Sequence, residues 1–189
     1  MKIVIAEDEA LIRMDLREML EEEGHDVVGE ARDGAEAVTL ARAHRPDVVF
    51  MDISMPGTDG IEAASVISRE GLGAVVMVTA FSQASLVEQA AQAGAMAYVV
   101  KPFSSVDIVP AMEVAVARFR EAAQLSNEVQ DLTERLETRK AVDRAKGILM
   151  AGGLGEAEAF RRLQRIAMDK RKSLREVAEA VITADEAMK

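Results

Sequence analysis

Four short apolar runs in this 189-residue chain end on groups that can do chemistry. "KIVIA" leads into Glu7-Asp8-Glu9, "DVVFM" into Asp52, "AVVMV" into Thr79 and "AYVV" into Lys101-Pro102. Crowded carboxylates repel one another and favour a cation among them, and their hard oxygens suit Mg²⁺. A lysine beside them balances charge and can hold a phosphoryl oxygen as a point charge. A surface salt-bridge cluster would account for one acid and one lysine, but not for four runs all tipped with polar chemistry. Pro56, Gly57 and Gly60 supply a turn directly behind Asp52.

The elements that must position these groups are legible in the pattern. The runs "KIVIA", "DVVGEA", "DVVFMD", "AVVMVTA" and "AYVV" read as strands, and helical patterns separate them. Ile12, Leu16, Met19 and Leu20 fall on one helix face, and "LVEQAAQAG" is a helix closing on Gly94. Five strands alternating with helices in about 120 residues imply a parallel sheet covered on both faces. The strand ends then emerge together on one edge, where such sheets place their ligands.

From Ser104 the pattern becomes helical throughout. Ser104 and Asp107 are spaced as a capping box, and Pro110 is tolerable only if the first turn is short or kinked. Leu125, Val129, Leu132 and Leu136 repeat at 4, 3, 4 spacing, a seam of about two heptads that could pair two chains or pack onto its own domain. "AGGLGEAEAF" breaks the helix at Gly152-Gly153; with no strand before it and no Lys-Ser/Thr after it, the glycine stretch reads as a turn rather than a phosphate loop. Ala159, Leu163 and Ile166 mark the next helix, with Phe160 expected in its core beside Leu163 and Ala167. Ser173 caps a last helix with Glu176 three residues on. Gly147, inside a helix, suggests close approach by another helix or by an RNA backbone.

Composition narrows the function. There is no cysteine, which excludes disulfides and thiolate metal sites. No apolar stretch reaches membrane-spanning length, and the opening "MKIVIAEDE" is too short for a signal peptide, so a cytoplasmic protein without membrane partners is expected. The net charge of −10 is uneven: residues 1–120 hold 10 basic and 20 acidic side chains, whereas residues 133–175 hold 12 basic and 6 acidic ones. An acidic body with a basic inset suggests two jobs.

The acid pair Glu7-Asp8, "FMDISMPGTDG", "VMVTA" and "AYVVKPF" resemble the receiver domain of two-component response regulators over about residues 1–120. The resemblance implies a doubly wound, flavodoxin-like domain at 1–119, with Asp52 as phosphate acceptor and a sensor histidine kinase as donor. It implies Mg²⁺ held by Asp8, Asp52 and the backbone carbonyl of Ser54, with Glu7 in the outer shell. It also implies that Lys101 contacts the phosphoryl group, that the Lys101–Pro102 bond is cis, and that Thr79 and Tyr98 form a switch pair.

The tail, from "RKAVDRAKGILM" through "AEAFRRLQRIAMDK", resembles the ANTAR domain. This implies a three-helix RNA-binding unit at 128–189, reached through a helical linker at 120–135 whose end overlaps it, and antitermination through paired RNA stem-loops upon dimerisation. The basic residues suit a polyanion: Arg139, Lys140, Arg144 and Lys146 on or near the first tail helix, beside Gly147, and Arg161, Arg162 and Arg165 on the second. The expected protein is therefore a regulator and not an enzyme, in which phosphorylation of Asp52 controls homodimerisation and RNA hairpin binding. Two alternatives differ in class. A DNA-binding regulator would use its last helix, but residues 174–189 set Arg175 and Lys189 against Glu176, Glu179, Asp185 and Glu186. An Mg²⁺-dependent aspartyl phosphatase of the haloacid dehalogenase type wants a second acid two residues after the first, where this chain has Ser54.

Overall fold

The computed structural model describes residues 1–80 and 84–187; Lys189, counted above with the last helix, lies outside them. The chain divides into two compact units, Met1–Gln124 and Leu125–Lys189. The first alternates β1 (Lys2–Ala6), α1 (Ala10–Glu22), β2 (Asp26–Ala31), α2 (Gly34–His44), β3 (Val48–Asp52), α3 (Gly60–Arg69), β4 (Ala74–Thr79), α4 (Ala84–Gln92) and β5 (Ala97–Val100). All five strands are parallel, in the order β2-β1-β3-β4-β5.

Side chains alternate across a strand, so each apolar run feeds two cores. Ile3, Ile5, Val48, Phe50, Val76 and Val78 face α1 and the start of α5 (Ser105–Ala151), packing on Leu16, Leu20, Ile108 and Met112. Val4, Val49, Met51, Val75 and Met77 face the other layer, with Ala37, Ala41, Ala63 and Ile67 of α2 and α3. Covering both faces is why β3 and β4 are apolar up to their last residues, Asp52 and Thr79, and wholly buried rather than alternating. The chain leaves β1 toward β2 and returns to β3 on the other side, so the β1–β3 boundary is the switch point where a crevice opens at the carboxyl ends.

Local signals set the helix starts. The Asp33 side chain accepts from the Glu36 N–H at 2.8 Å and that of Asp59 from the Ile61 N–H at 2.6 Å. At the head of α5, Asp107 accepts from the Ser104 hydroxyl at 2.7 Å and the Ser104 N–H at 3.0 Å. Such caps are each worth about 1 kcal/mol. The helix continues through Pro110, which leaves the Val106 carbonyl without its usual i+4 donor.

The second unit is helical: the later part of α5, α6 (Glu156–Lys170) and α7 (Leu174–Ala187), with Gly153 at φ 97° in the turn after α5. Ser173 and Glu176 complete the capping box, the Glu176 N–H donating to the Ser173 hydroxyl at 3.2 Å and the Ser173 N–H to the Glu176 carboxylate at 2.8 Å. Val142, Ala145, Leu163, Val177 and Ala178 make a small core. One sequence expectation fails here. Phe160 is 36% exposed; Ala159 takes the buried place instead, because Ala159, Leu163 and Ile166 set the inner face and the next residue lies about 100° around the helix. Gly147 has no neighbour within 4 Å of where a Cβ would stand, so among the described residues no helix makes the close approach its position suggested, and the RNA-backbone alternative stays open. The seam residues Leu125, Val129, Leu132 and Leu136 are each 56–61% exposed, so they do not pack onto their own domain. Among the described residues, no helix is long and apolar enough to cross a membrane.

Candidate functional site

The carboxyl ends of β1, β3, β4 and β5 bring the expected side chains together. Glu7 and Asp52 are buried, Asp8 is exposed, and carboxylate oxygens of all three lie within 4.8 Å of one another. Lys101, just past β5, donates to Glu7 Oε2 at 2.6 Å and to Asp52 Oδ2 at 2.9 Å. Burial pushes the Glu7 carboxyl above its ordinary range, against the pull of the lysine. Burial also opposes the charge on Lys101, but its bonds to Glu7 and Asp52 overcome this and hold the ammonium above its ordinary range. The lysine therefore stays cationic at neutral pH, in a partly desolvated place where its charge acts strongly. The Lys101–Pro102 peptide is cis, and the Lys101 N–H donates to the Thr79 carbonyl at 2.8 Å.

The loop after β3 folds back hard against its own strand. The Ser54 N–H points to Asp52 Oδ1 at 3.4 Å, and the Gly60 N–H donates to the Ile53 carbonyl at 3.1 Å. A Cβ on Gly60 would collide with the Asp52 carbonyl oxygen, so only glycine allows α3 to start there. Thr79 is fully buried. Tyr98 pairs in register with Met77, two residues before Thr79, so its ring shares the Thr79 face of the sheet. It is partly buried against the core of that face. Three carboxylates on one rim offer the hard oxygen donors that a divalent cation such as Mg²⁺ takes, and the lysine bonded to two of them is a cation that an anion could share.

One participant is absent from the sequence reading. Arg13, buried on α1, donates to the Glu7 carbonyl at 2.6 Å and points to the Asp8 carbonyl at 3.4 Å, while its Nε pairs with Glu30 at 3.1 Å. It thus ties down the backbone of both acids. The helical spacing marks its position only as one flank of an apolar face, so nothing in the sequence distinguishes it from a solvated arginine.

In the second unit the candidate cations separate into two groups. Those on α5 are each engaged by an acid: Arg139 by Asp143 at 3.9 Å, Lys140 by Glu137 at 3.1 Å, Arg144 by Glu186 at 2.6 Å, and Lys146 by Glu156 at 2.9 Å. Arg161, Arg162 and Arg165 on α6 line one open cavity of about 620 Å³ with Glu158, and none of the three forms an ion pair among the described residues.

Comparison with known proteins agrees with both halves. Residues 3–113 match the response regulator receiver domain and residues 130–182 the ANTAR domain. The chain is 58% identical to the transcriptional regulatory protein PdtaR of Mycobacterium tuberculosis, over 96% of this chain and 89% of that one. It is 40% identical to the chemotaxis protein CheY of Bacillus subtilis, over 59% of this chain and 93% of that one. Among solved structures, the CheX-CheY-BeF3-Mg+2 complex from Borrelia burgdorferi aligns with a TM-score of 0.55 at 28% identity, covering 58% of this chain and 84% of that chain.

Proposed function

Because the chain belongs to the response regulators, with a receiver domain followed by an ANTAR domain, we propose that Asp52 accepts a phosphoryl group from a sensor histidine kinase and that the modified protein binds RNA stem-loops to prevent transcription termination. The observation that carries this reading is the buried Asp52 carboxylate held 2.9 Å from Lys101 on a rim shared with Glu7 and Asp8. A structural relative named for its beryllium fluoride and magnesium supports the same chemistry here.

In this reading an Asp52 oxygen attacks phosphorus, the phosphorus–nitrogen bond to the donor imidazole breaks, and an acyl phosphate forms. Lys101 moves its charge from the carboxylate pair to a phosphoryl oxygen. Asp8, Asp52 and the Ser54 carbonyl would hold Mg²⁺, with Glu7 behind them; bound there, the cation neutralises equatorial charge. The new anion draws the Thr79 hydroxyl inward, and Tyr98 turns into the space released. Residues 1–119 would be the phosphorylated unit, 120–135 the linker and 128–189 the RNA-binding unit.

Two chains would then pair through Leu125, Val129, Leu132 and Leu136. Two heptads are marginal alone, so a bias of a few kcal/mol from the receiver decides the population. Pairing presents two basic tails to two hairpins and raises the effective concentration for the second contact. Leu132→Asp is expected to leave Asp52 phosphorylation intact, hold the protein monomeric under beryllium fluoride, and weaken binding of a tandem-hairpin RNA at least tenfold. Sedimentation and a binding titration measure both; wild-type RNA affinity in the variant would end the coupling idea.

Arg13→Met keeps the stem and removes the guanidinium. The carbonyls of Glu7 and Asp8 lose their donor, so the acids lose their fixed placement. Mg²⁺ affinity of the unphosphorylated protein should fall about tenfold, the low end for outer-shell partners of a metal site. An Mg²⁺ titration followed by amide chemical shifts reads this directly, and an unchanged dissociation constant would dismiss Arg13 from the site.

A further inference from the structure

Resting on the RNA reading above, we infer that Phe160 is a stacking platform for one unpaired RNA base, seated in the groove between α5, α6 and α7. Phe160 is the only aromatic side chain after Phe119. Leaving it 36% exposed, while its neighbour Ala159 fills the core, forgoes burial that the hydrophobic effect would reward. It lines an open groove of about 580 Å³ whose floor includes Val142 and Leu174 and whose rim carries Arg135, Arg139 and Lys146. An aromatic face flanked by cations fits a base still attached to its phosphates.

The rest of the rim distinguishes this place from a phosphate site. Asp131, Glu134 and Asp143 also line it, so its acids and bases balance and a bare polyanion gains little there. Carboxylates can instead accept from the amino and imino groups of an exposed Watson–Crick base edge, a full edge presented only by unpaired loops or bulges. The α6 arginines, lining a separate cavity with a single acid, suit the phosphates. Stacking and charge neutralisation therefore fall to different surfaces of the same unit, and they have different signatures. Charge neutralisation depends steeply on salt; stacking on a neutral ring does not.

The experiment uses the full chain, activated with beryllium fluoride and Mg²⁺, and hairpin RNAs selected with the wild-type protein from a pool with randomised loops. Phe160→Leu keeps apolar volume and removes the π face. Its affinity should fall about five- to a hundredfold with the salt slope unchanged, and Phe160→Tyr should restore most of it. The chain has no tryptophan, so Phe160→Trp installs a single indole. Its emission should be quenched on adding the selected hairpin and not on adding the same stem closed by a non-selected loop. Recovery of no hairpin by the wild type would overturn the RNA reading itself. Recovery with equal affinity for Phe160→Leu, or an indole indifferent to the hairpin, would overturn the stacking role alone. Self-association that Phe160→Leu abolishes without changing RNA affinity would assign the groove to a second copy of the chain and also overturn it.

Discussion

Asp52→Ala is expected to incorporate no phosphate at all from acetyl phosphate and Mg²⁺, while the wild type gains one acid-labile group by intact mass. The neighbouring acids offer no substitute. Glu7 is closer to Lys101, at 2.6 Å, but it is 1% exposed, so its oxygens are not accessible to a phosphoryl donor. Asp8 is exposed and makes no ion pair with Lys101. Asp52 bonds to Lys101 at 2.9 Å at the carboxyl end of β3 and is less deeply buried than Glu7. The substitution should leave the fold intact, because Lys101 keeps its bond to Glu7 and the buried cation is not orphaned. A melting temperature near that of the wild type, together with complete loss of phosphate, is the expected pair of results. Acid-labile phosphate appearing on the variant at Glu7 or Asp8 would reverse the assignment.

Replacing Arg161, Arg162 and Arg165 together by alanine is expected to have the largest effect on RNA binding. The three guanidinium groups line one cavity and form no ion pair among the described residues, so each can meet a phosphate without first breaking one. Removing one phosphate-neutralising cation should flatten the dependence of log K on log salt by roughly 0.7–0.9, so the triple variant should reduce the slope by about 2. Affinity near 0.15 M salt should fall about a hundredfold. Arg144→Ala should do less, since Arg144 is already engaged by Glu186 at 2.6 Å, although an exposed pair of this kind is weak and yields readily to RNA. Hairpin titrations across a series of salt concentrations compare the two. A triple variant with the wild-type slope would move the phosphate-binding face away from α6.

How far these sites could be read beforehand follows from where their information lies along the chain. Glu7, Asp8, Asp52, Thr79 and Lys101 each follow an apolar run closely, and a parallel sheet gathers strand ends on one edge whatever the loops do. The helix caps are equally local: Ser104 and Asp107, like Ser173 and Glu176, stand three positions apart. For these the linear pattern suffices, because neighbouring residues decide the outcome. The strand order, the cation held jointly by Glu7 and Asp52, and the clamp from Arg13 to the backbone of the acids depend on segments meeting across the sheet and on which flank of α1 turns inward. Phe160 shows the same limit at the scale of one residue. Ala159 lies on the apolar stripe of α6 and Phe160 one residue beside it, and a rotation of about 100° decides which is buried. Three helices competing for a small core made that choice in favour of the alanine, and their packing likewise left the heptad seam of α5 facing outward. Local pattern sets which groups are present and at which strand ends they stand. Which of them touch is settled by packing in three dimensions, because contact energies between distant segments have no signature in either segment alone.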